Sequence, residues 1–213
     1  MFRDRKDAGK HLANQLLRYR DQSENLVVLA IPRGGLPIGK IIARSLGAPL
    51  DVVLSKKLGH PRNREFAIGA VSPESFILTD EGAASREYIE SEISRIRKKL
   101  AADAIRYRHG RPPVDLTGKI VVIVDDGIAT GNTILATARL VYGQNPLKTV
   151  VAIPVASPTA LQKLQNSEYI DEVVCLSTPR YFQAVGQFYD SFEQVTDEEA
   201  IELLDRSNQE WTA

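Results

Sequence analysis

Residues 119–133, KIVVIVDDGIATGNT, decide the fold. Residues 120–124 are a run of five β-branched side chains, which is typical of a strand buried on both faces of a parallel sheet. The run ends on Asp125 and Asp126, and an apolar helical pattern begins after Thr133. Because open α/β sheets bind ligands beyond the carboxyl ends of their strands, this segment predicts a ligand site at the two aspartates.

The turn between this strand and the helix has the composition of an anion site. Thr130 and Thr133 carry hydroxyl donors, and the backbone N–H groups of a turn and a helix N-terminus can surround a phosphate. Two carboxylates beside that phosphate need a cation or hydroxyl groups as partners, and a sugar phosphate brings hydroxyls. A βα turn with two solvated aspartates is the alternative. A Walker phosphate loop is excluded because no Gly-Lys-Ser/Thr follows the glycine.

The same segment resembles the phosphoribosyl pyrophosphate (PRPP) signature of type I phosphoribosyltransferases, which is an apolar strand, two acidic residues, three variable positions and Thr-Gly-x-Thr. The match DDGIATGNT is complete at the defining positions. The resemblance implies that Asp125 and Asp126 bind ribose hydroxyls, take part in catalysis, and meet a Mg²⁺ cofactor only indirectly, through hydroxyls or water. It also implies that PRPP contacts the residues after the acidic pair: Ile128, Ala129, Thr130, Gly131, Asn132 and Thr133.

A second glycine-containing turn follows the first apolar strand, residues 26–31. Its sequence is Pro32-Arg33-Gly34-Gly35, and an apolar helical pattern then runs to Leu46. Glycines let a backbone approach a ligand closely, and Arg33 can present its guanidinium fork to phosphate oxygens. The turn resembles the pyrophosphate loop of the same family, which implies that Arg33, Gly34 and Gly35 bind PRPP and that Arg33 assists catalysis. An ordinary turn with a solvated arginine is the alternative.

Residues 56–65, KKLGHPRNRE, combine four cationic side chains with Gly and Pro and show no apolar periodicity. This pattern predicts an exposed loop after the second strand. In the resembled family a mobile catalytic loop lies at about this place and folds over pyrophosphate, which implies catalytic roles for Lys56 and Lys57. A solvated connection without function is the alternative.

The whole chain, 1–213, is predicted to be a single domain. Strands and helices alternate over a core of about 26–176, which predicts an α/β fold with a doubly wound, mainly parallel, Rossmann-like sheet, as in type I phosphoribosyltransferases. An insert of about 66–115 holds a predicted hairpin and a long helix. Residues of about 177–213 are expected to form a C-terminal hood.

The hood segment is rich in aromatic side chains, which are either core or a surface that stacks on a planar acceptor. The likeness to base-using members of the family extends faintly to residues 185–190 and implies an acceptor contact by Phe188, Tyr189 and Asp190. Thr196 and Glu199 have the spacing of a capping box and predict the start of a last helix.

Composition restricts the class of protein. Lys plus Arg and Asp plus Glu number 27 each, and this balance argues against a nucleic-acid or acidic-membrane partner. No apolar run approaches 18 residues and the N-terminus does not resemble a signal peptide, so the expected location is the cytoplasm. Cys175, the one cysteine, lies in an apolar run and is expected to be a small buried hydrophobe.

Taken together, the resemblance implies an enzyme that transfers the 5-phosphoribosyl group of PRPP to a nitrogenous acceptor, such as a nucleobase, and releases pyrophosphate. A homodimer is expected. Two alternatives stay open at this point. One is a regulatory protein that binds PRPP or a nucleotide without turnover, because one fold can host both roles. The other is a hydrolase or phosphorylase that acts on ribose phosphates.

A departure from the family yields a first prediction. In members that act on 6-oxopurines, the third variable position of the signature is usually an aspartate that takes or shares a proton of the purine ring, whereas this chain has Ala129. A methyl group can do neither, as in relatives that use adenine or orotate. We expect hypoxanthine and guanine to be poorer acceptors by about 10²- to 10⁴-fold in competition kinetics. The exception would be a tail residue, such as Asp190, that replaces the missing carboxylate. Efficient use of either base that survives Asp190→Asn would therefore contradict this expectation.

Overall fold

The computed structural model describes residues 1–73, 75–78 and 82–212. Five strands form the central sheet and three form a second sheet. The strands are β1 (Leu26–Ala30), β2 (Leu50–Val52), β3 (Lys56–His60), β4 (Asn63–Val71), β5 (Phe76–Leu78), β6 (Ile120–Val124), β7 (Lys148–Val155) and β8 (Glu172–Ser177). The α-helices are α1 (Arg5–Leu16), α2 (Gly35–Leu46), α3 (Arg86–Arg108), α4 (Asn132–Tyr142), α5 (Pro158–Gln165) and α6 (Asp197–Thr212). Short 3₁₀ helices span Leu17–Asn25 and Val185–Phe188.

The central sheet is parallel and has the strand order β2-β1-β6-β7-β8. The middle strand, β6, pairs with β1 on one side and β7 on the other, and all five of its residues are buried. This confirms the predicted doubly wound α/β fold. In the register, Ala30 lies opposite Val124, so the turns that follow β1 and β6 leave the sheet side by side.

Alternate side chains of β6 enter two separate cores. Val122 and Val124 join a cluster that includes apolar side chains of α1, α2, α3 and α6, while Val121 and Ile123 join one formed with α4 and α5. Both faces of the strand are therefore covered by helices, which explains why its sequence is apolar without alternation.

The N-terminal helix is shorter than the sequence predicts. The apolar spacing of residues 3–20 predicts one helix, but α1 ends at Leu16 and the chain continues as the 3₁₀ helix. The helix begins after Asp4, whose carboxylate accepts a bond of 2.7 Å from the Asp7 N–H. The predicted capping box of α6 is confirmed, because Thr196 and Glu199 bond each other's backbone N–H groups at 2.9 and 3.1 Å.

The prediction of a loop over residues 56–65 is wrong. These residues form β3 and the beginning of β4, which pair antiparallel around a turn at Pro61 and Arg62. The cause is Leu58, which lies between Lys57 and Gly59 in the sequence and is fully buried. Ile68 on the facing strand is fully buried as well. A single large apolar residue in a cationic segment gives no periodic signal, so this strand could not be predicted from the sequence. The predicted hairpin over residues 66–78 is present as β4 and β5, and Glu74 lies outside the described residues.

In the part of the chain that the structure describes, no helix has the length and apolar character needed to cross a membrane.

A buried ion pair ties the insert to the central sheet. Arg108, at the end of α3, donates from Nε to the two carboxylate oxygens of Asp51 in β2 at 3.0 and 3.2 Å, and from Nη2 to the Val52 carbonyl at 2.9 Å. Asp51 also accepts backbone N–H bonds from Val52 and Val114. Both side chains of the pair are about nine-tenths buried. Each charge thus depends on the other for compensation.

We expect Arg108→Leu to lower the free energy of unfolding by about 3–5 kcal/mol, because it leaves the Asp51 carboxylate buried without its cation. Urea unfolding measures the loss. The control is Arg86→Leu, which removes an exposed pair with Glu90 on the same helix and should leave the urea midpoint close to that of the wild type. Equal midpoints for the two variants would contradict the structural role of the Arg108 pair.

Candidate functional site

Asp125 and Asp126 lie directly beyond the carboxyl end of β6, where both are partly buried. The Asp126 N–H donates to Asp125 Oδ1 at 2.9 Å. Burial raises the pKa of the Asp125 carboxyl well above its ordinary value, and the charge of Asp126 raises it further. Burial also raises the pKa of Asp126, while the guanidinium of Arg5 opposes that rise. Both shifts disfavour the charged form in the free protein, so a ligand that donates hydrogen bonds to these groups would stabilise them as carboxylates.

The Pro32–Gly35 turn contacts this acidic pair. A Cβ atom on Gly34 would lie 2.0 Å from Asp126 Oδ2, and one on Gly35 would lie 2.5 Å from the Val124 carbonyl oxygen. Only glycine lets the two turns approach this closely. The peptide bond between Pro32 and Arg33 is cis. The structure therefore brings two of the predicted PRPP-binding segments together.

Residues 128–133 form an open cradle at the N-terminus of α4. Ile128 is anchored to the end of β7, because its N–H donates to the Val155 carbonyl at 3.0 Å and its carbonyl accepts from Ser157 N–H at 3.0 Å. The Ser157 hydroxyl donates to the Ala129 carbonyl at 2.6 Å. Beyond this anchor, four of the predicted PRPP-binding residues are exposed: Ala129, Thr130, Asn132 and Thr133.

Gly131 precedes α4, and no side chain in the described ranges caps that N-terminus. The first N–H groups of a helix have no partner within the helix, and its dipole favours an anion at this end. The loop therefore has the geometry to take a phosphate, as the sequence predicts.

Arg33 extends from its turn toward the start of α6. Its Nη1 lies 3.8 Å from Asp197 Oδ1, and the side chain is 38% exposed. Asp197 also lies 3.3 Å from Arg106 and accepts a bond of 3.2 Å from the Tyr107 hydroxyl. Burial, together with the nearby Asp197 charge, raises the pKa of Tyr107 to about 12. The long distance and the exposure leave the Arg33 guanidinium accessible to an anionic ligand.

Lys56 and Lys57 lie on β3 rather than on a loop. Lys56 Nζ is 3.7 Å from Asp103 Oδ2 on α3. Burial lowers the pKa of Lys56, and the neighbouring Lys99 lowers it further. In this arrangement Lys56 contacts α3, and Lys57 is the more exposed of the two lysines.

The hood packs directly on the acidic turn. Tyr189 is buried, its hydroxyl donates to the Asp126 carbonyl at 2.6 Å, and its ring contacts Phe2 and Phe192 at centroid distances of 5.5 and 4.9 Å. A Cβ on Gly127 would lie 2.6 Å from Val185 Cγ1, so hood and turn touch there as well. The Tyr189 ring is thus part of the hood's own packing.

The other two residues predicted to contact an acceptor are more open. Phe188 is half-buried against Phe182, at a centroid distance of 5.1 Å, and Asp190 is exposed. The N–H of Asp190 donates to the Phe2 carbonyl at 2.8 Å. These positions leave an acceptor role for Phe188 and Asp190 as a prediction.

The sequence gives no indication of one further site residue, Arg5. Its Nε and Nη2 both lie 2.8 Å from Asp126 Oδ2, and the two side chains are only 12% and 15% exposed. The two residues are 121 positions apart in the sequence. Charged side chains in the first turn of an amphipathic helix are normally solvent-exposed, so Arg5 does not stand out. No local pattern could have revealed it.

Among the residues that the structure describes, no group of three or more His, Cys, Asp or Glu side chains could hold a metal ion by itself. Mg²⁺ is commonly bound through one or two carboxylates together with substrate phosphates. The oxygen donors of Asp125 and Asp126 fit an ion that arrives with a phosphorylated ligand.

Comparisons with known proteins agree with this geometry. The phosphoribosyl transferase domain model matches residues 3–187. A protein of Mycobacterium tuberculosis, provisionally named a phosphoribosyl transferase, is 39% identical over 216 residues that cover 99% of this chain and 48% of the relative. The chain therefore spans about half the length of that relative. The crystal structure of TT1426 from Thermus thermophilus is 43% identical and superposes with a TM-score of 0.86, covering 96% of this chain and 97% of the other.

The family model covers most of the chain, and the acidic pair, the glycine turn and the open cradle all lie within the matched residues. The chain belongs to the phosphoribosyl transferase domain family.

Proposed function

We propose that the protein transfers the 5-phosphoribosyl group of PRPP to a nitrogenous acceptor, such as a nucleobase, and releases pyrophosphate. The observation that carries this proposal is the junction of three elements at one edge of the sheet. The acidic pair follows β6, Gly34 touches Asp126, and the uncapped N-terminus of α4 begins six residues after Asp126.

Each element matches one part of PRPP. The ribose hydroxyls donate to Asp125 and Asp126, and the 5-phosphate accepts from the backbone N–H groups and hydroxyls of residues 130–133. The pyrophosphate lies toward the Pro32–Gly35 turn, where Arg33 can donate to its oxygens. These contacts hold the ribose C1 between the cradle and the turn.

The reaction breaks the bond between C1 and the pyrophosphate oxygen, forms a bond between C1 and the acceptor nitrogen, and releases one proton from that nitrogen. Positive charge develops on the ribose ring and negative charge on the leaving group. The carboxylates stabilise the first and the Arg33 guanidinium the second, so positioning and charge suffice without a nucleophilic side chain. Bound Mg²⁺ would supply further neutralisation of the pyrophosphate.

Four further residues have proposed roles. Lys56 and Lys57 add cationic charge from β3, and Phe188 and Asp190 contact the acceptor.

The proposal is tested by incubating the protein with PRPP, Mg²⁺ and a panel of bases, and by measuring pyrophosphate and product by mass. Formation of a phosphoribosylated base supports the proposal. Binding of PRPP without turnover indicates a regulatory protein, and release of free ribose 5-phosphate or ribose 1,5-bisphosphate indicates a hydrolase or a phosphorylase.

We expect Asp125→Asn and Asp126→Asn each to weaken PRPP binding roughly 10- to 100-fold, because a hydrogen bond to a charged group contributes about 1.5–3 kcal/mol. Isothermal titration calorimetry measures the effect. Asp21→Asn, which changes an exposed aspartate of the 3₁₀ helix, is the control. Unchanged affinity in both site variants would remove the basis for the proposed ribose contact.

Gly34→Ala tests the close approach of the two turns. The new methyl group overlaps Asp126 Oδ2 and forces the carboxylate or the turn to move, so PRPP binding should fall by about 10-fold or more, equivalent to the 1–3 kcal/mol of an overpacked site. Gly143→Ala is the matched control, because its Cβ would lie no closer than 3.6 Å to the two neighbouring carbonyl oxygens. Wild-type affinity in Gly34→Ala would contradict the observed contact.

A further inference from the structure

Arg5 lies at the edge of the acidic pair, where two side chains and one backbone carbonyl contact its guanidinium group. Nε donates to Asp126 Oδ2 at 2.8 Å, and Nη2 lies 2.8 Å from the same oxygen as an ion pair. Nη1 donates to the Glu193 carbonyl at 2.6 Å, and the guanidinium lies 3.8 Å from the centroid of the Phe192 ring. A planar cation that is stacked on a ring, hydrogen-bonded at two nitrogens and ion-paired through the third has little freedom to rotate. Its position fixes the position of the Asp126 carboxylate.

The bonding pattern leaves the acidic pair asymmetric. The hydrogen bond from Arg5 Nε and the ion-pair contact of Nη2 both reach Asp126 Oδ2, and over the described part of the chain no other side chain donates to this carboxylate. In Asp125, Oδ1 accepts the Asp126 N–H. Asp126 Oδ1 and Asp125 Oδ2 therefore keep their capacity to accept a bond, which is the number of acceptors that the two hydroxyls of a ribose require.

The same arginine joins the acidic pair to the hood. The Phe2 N–H donates to the Phe188 carbonyl at 2.9 Å, and the N–H of Ser191 donates to the Arg3 carbonyl at 2.9 Å. Phe192 stacks on Arg5 and also contacts Tyr189, whose hydroxyl bonds the Asp126 backbone. The N-terminal residues and the hood thus meet Asp126 from one side as a connected unit.

We propose that Arg5 is a positioning residue for the ribose of PRPP: it neutralises Asp126, turns Oδ1 toward the substrate, and holds the hood against the ribose site. This role rests on the proposed function. It requires that Arg5 acts through Asp126 and leaves the phosphate and pyrophosphate contacts unchanged.

The experiment compares PRPP, ribose 5-phosphate and pyrophosphate binding by calorimetry in the wild type and in Arg5→Gln. The variant should bind PRPP and ribose 5-phosphate about 10- to 100-fold more weakly and pyrophosphate within about 2-fold of the wild type. Arg5→Lys, which keeps the charge but not the fork, should recover part of the affinity. Arg3→Gln is the control, since Arg3 forms an exposed pair with Asp7 in the same segment.

A double-mutant cycle with Asp126→Asn shows whether Arg5 acts through that carboxylate. In the Asp126→Asn background, Arg5→Gln should change PRPP affinity less than about 2-fold, because the interaction is already lost. Thermal unfolding of every variant identifies any that fails to fold. If Arg5→Gln does so, Arg5→Lys and Phe192→Leu provide the comparison, and both should bind PRPP more weakly than the wild type and pyrophosphate equally well.

Three results overturn the inference while leaving the proposed function intact. Wild-type affinities in Arg5→Gln mean that Arg5 does not position the ribose. Tighter PRPP binding means that Arg5 blocks Asp126 rather than orienting it. Equal losses for PRPP and pyrophosphate mean that Arg5 acts only on the stability of the fold. Absence of PRPP binding in the wild type is a separate outcome, which overturns the proposed function and this inference together.

Discussion

The parallel pairing of β6 between β1 and β7 is the constraint on which the site depends. Because Ala30 and Val124 lie opposite each other, the chain leaves both strands at the same height, and the glycine turn meets the acidic pair there. The pairing with β7 does the same on the other side, where Ile128 is bonded to the Val155 carbonyl and carries the cradle. The apolar residues of β6 therefore stabilise the fold and position the ligand-binding turns at once.

Charge compensation is the second organising feature. The side chains of Asp51 and Asp126 are largely buried, and each is paired with an arginine from a distant helix, Arg108 for Asp51 and Arg5 for Asp126. In the pair of Arg108 and Asp51, both carboxylate oxygens accept hydrogen bonds, and the pair connects the insert to the edge strand of the sheet. The second leaves acceptor capacity free beside an open cradle. The same chemistry thus serves structure in one place and, in our proposal, ligand binding in the other.

The local parts of this arrangement could be predicted from the sequence. The residues of β6, the acidic pair and the start of α4 carry their signals in adjacent positions, and the glycine turn after β1 could be recognised in the same way. What the sequence could not show depends on distant contacts. The strand β3 rests on the burial of Leu58 against the insert, and Arg5 meets Asp126 across 121 positions. In the sequence alone, the charged residues of β3 and of the first turn of α1 indicate solvent-exposed segments. Their buried contacts are formed only in the folded chain.

The central claim is that PRPP binds where the turns after β1 and β6 meet the N-terminus of α4. The most direct measurement is a titration of the ¹⁵N-labelled protein with PRPP and Mg²⁺, followed by the amide chemical shifts. We predict that the largest shifts fall on residues 33–35 and 125–133, at the edge of the sheet that these turns share. Absence of shifts there, or shifts concentrated in the groove between β5 and α3 that Phe76, Leu78 and Ile93 line, would contradict it.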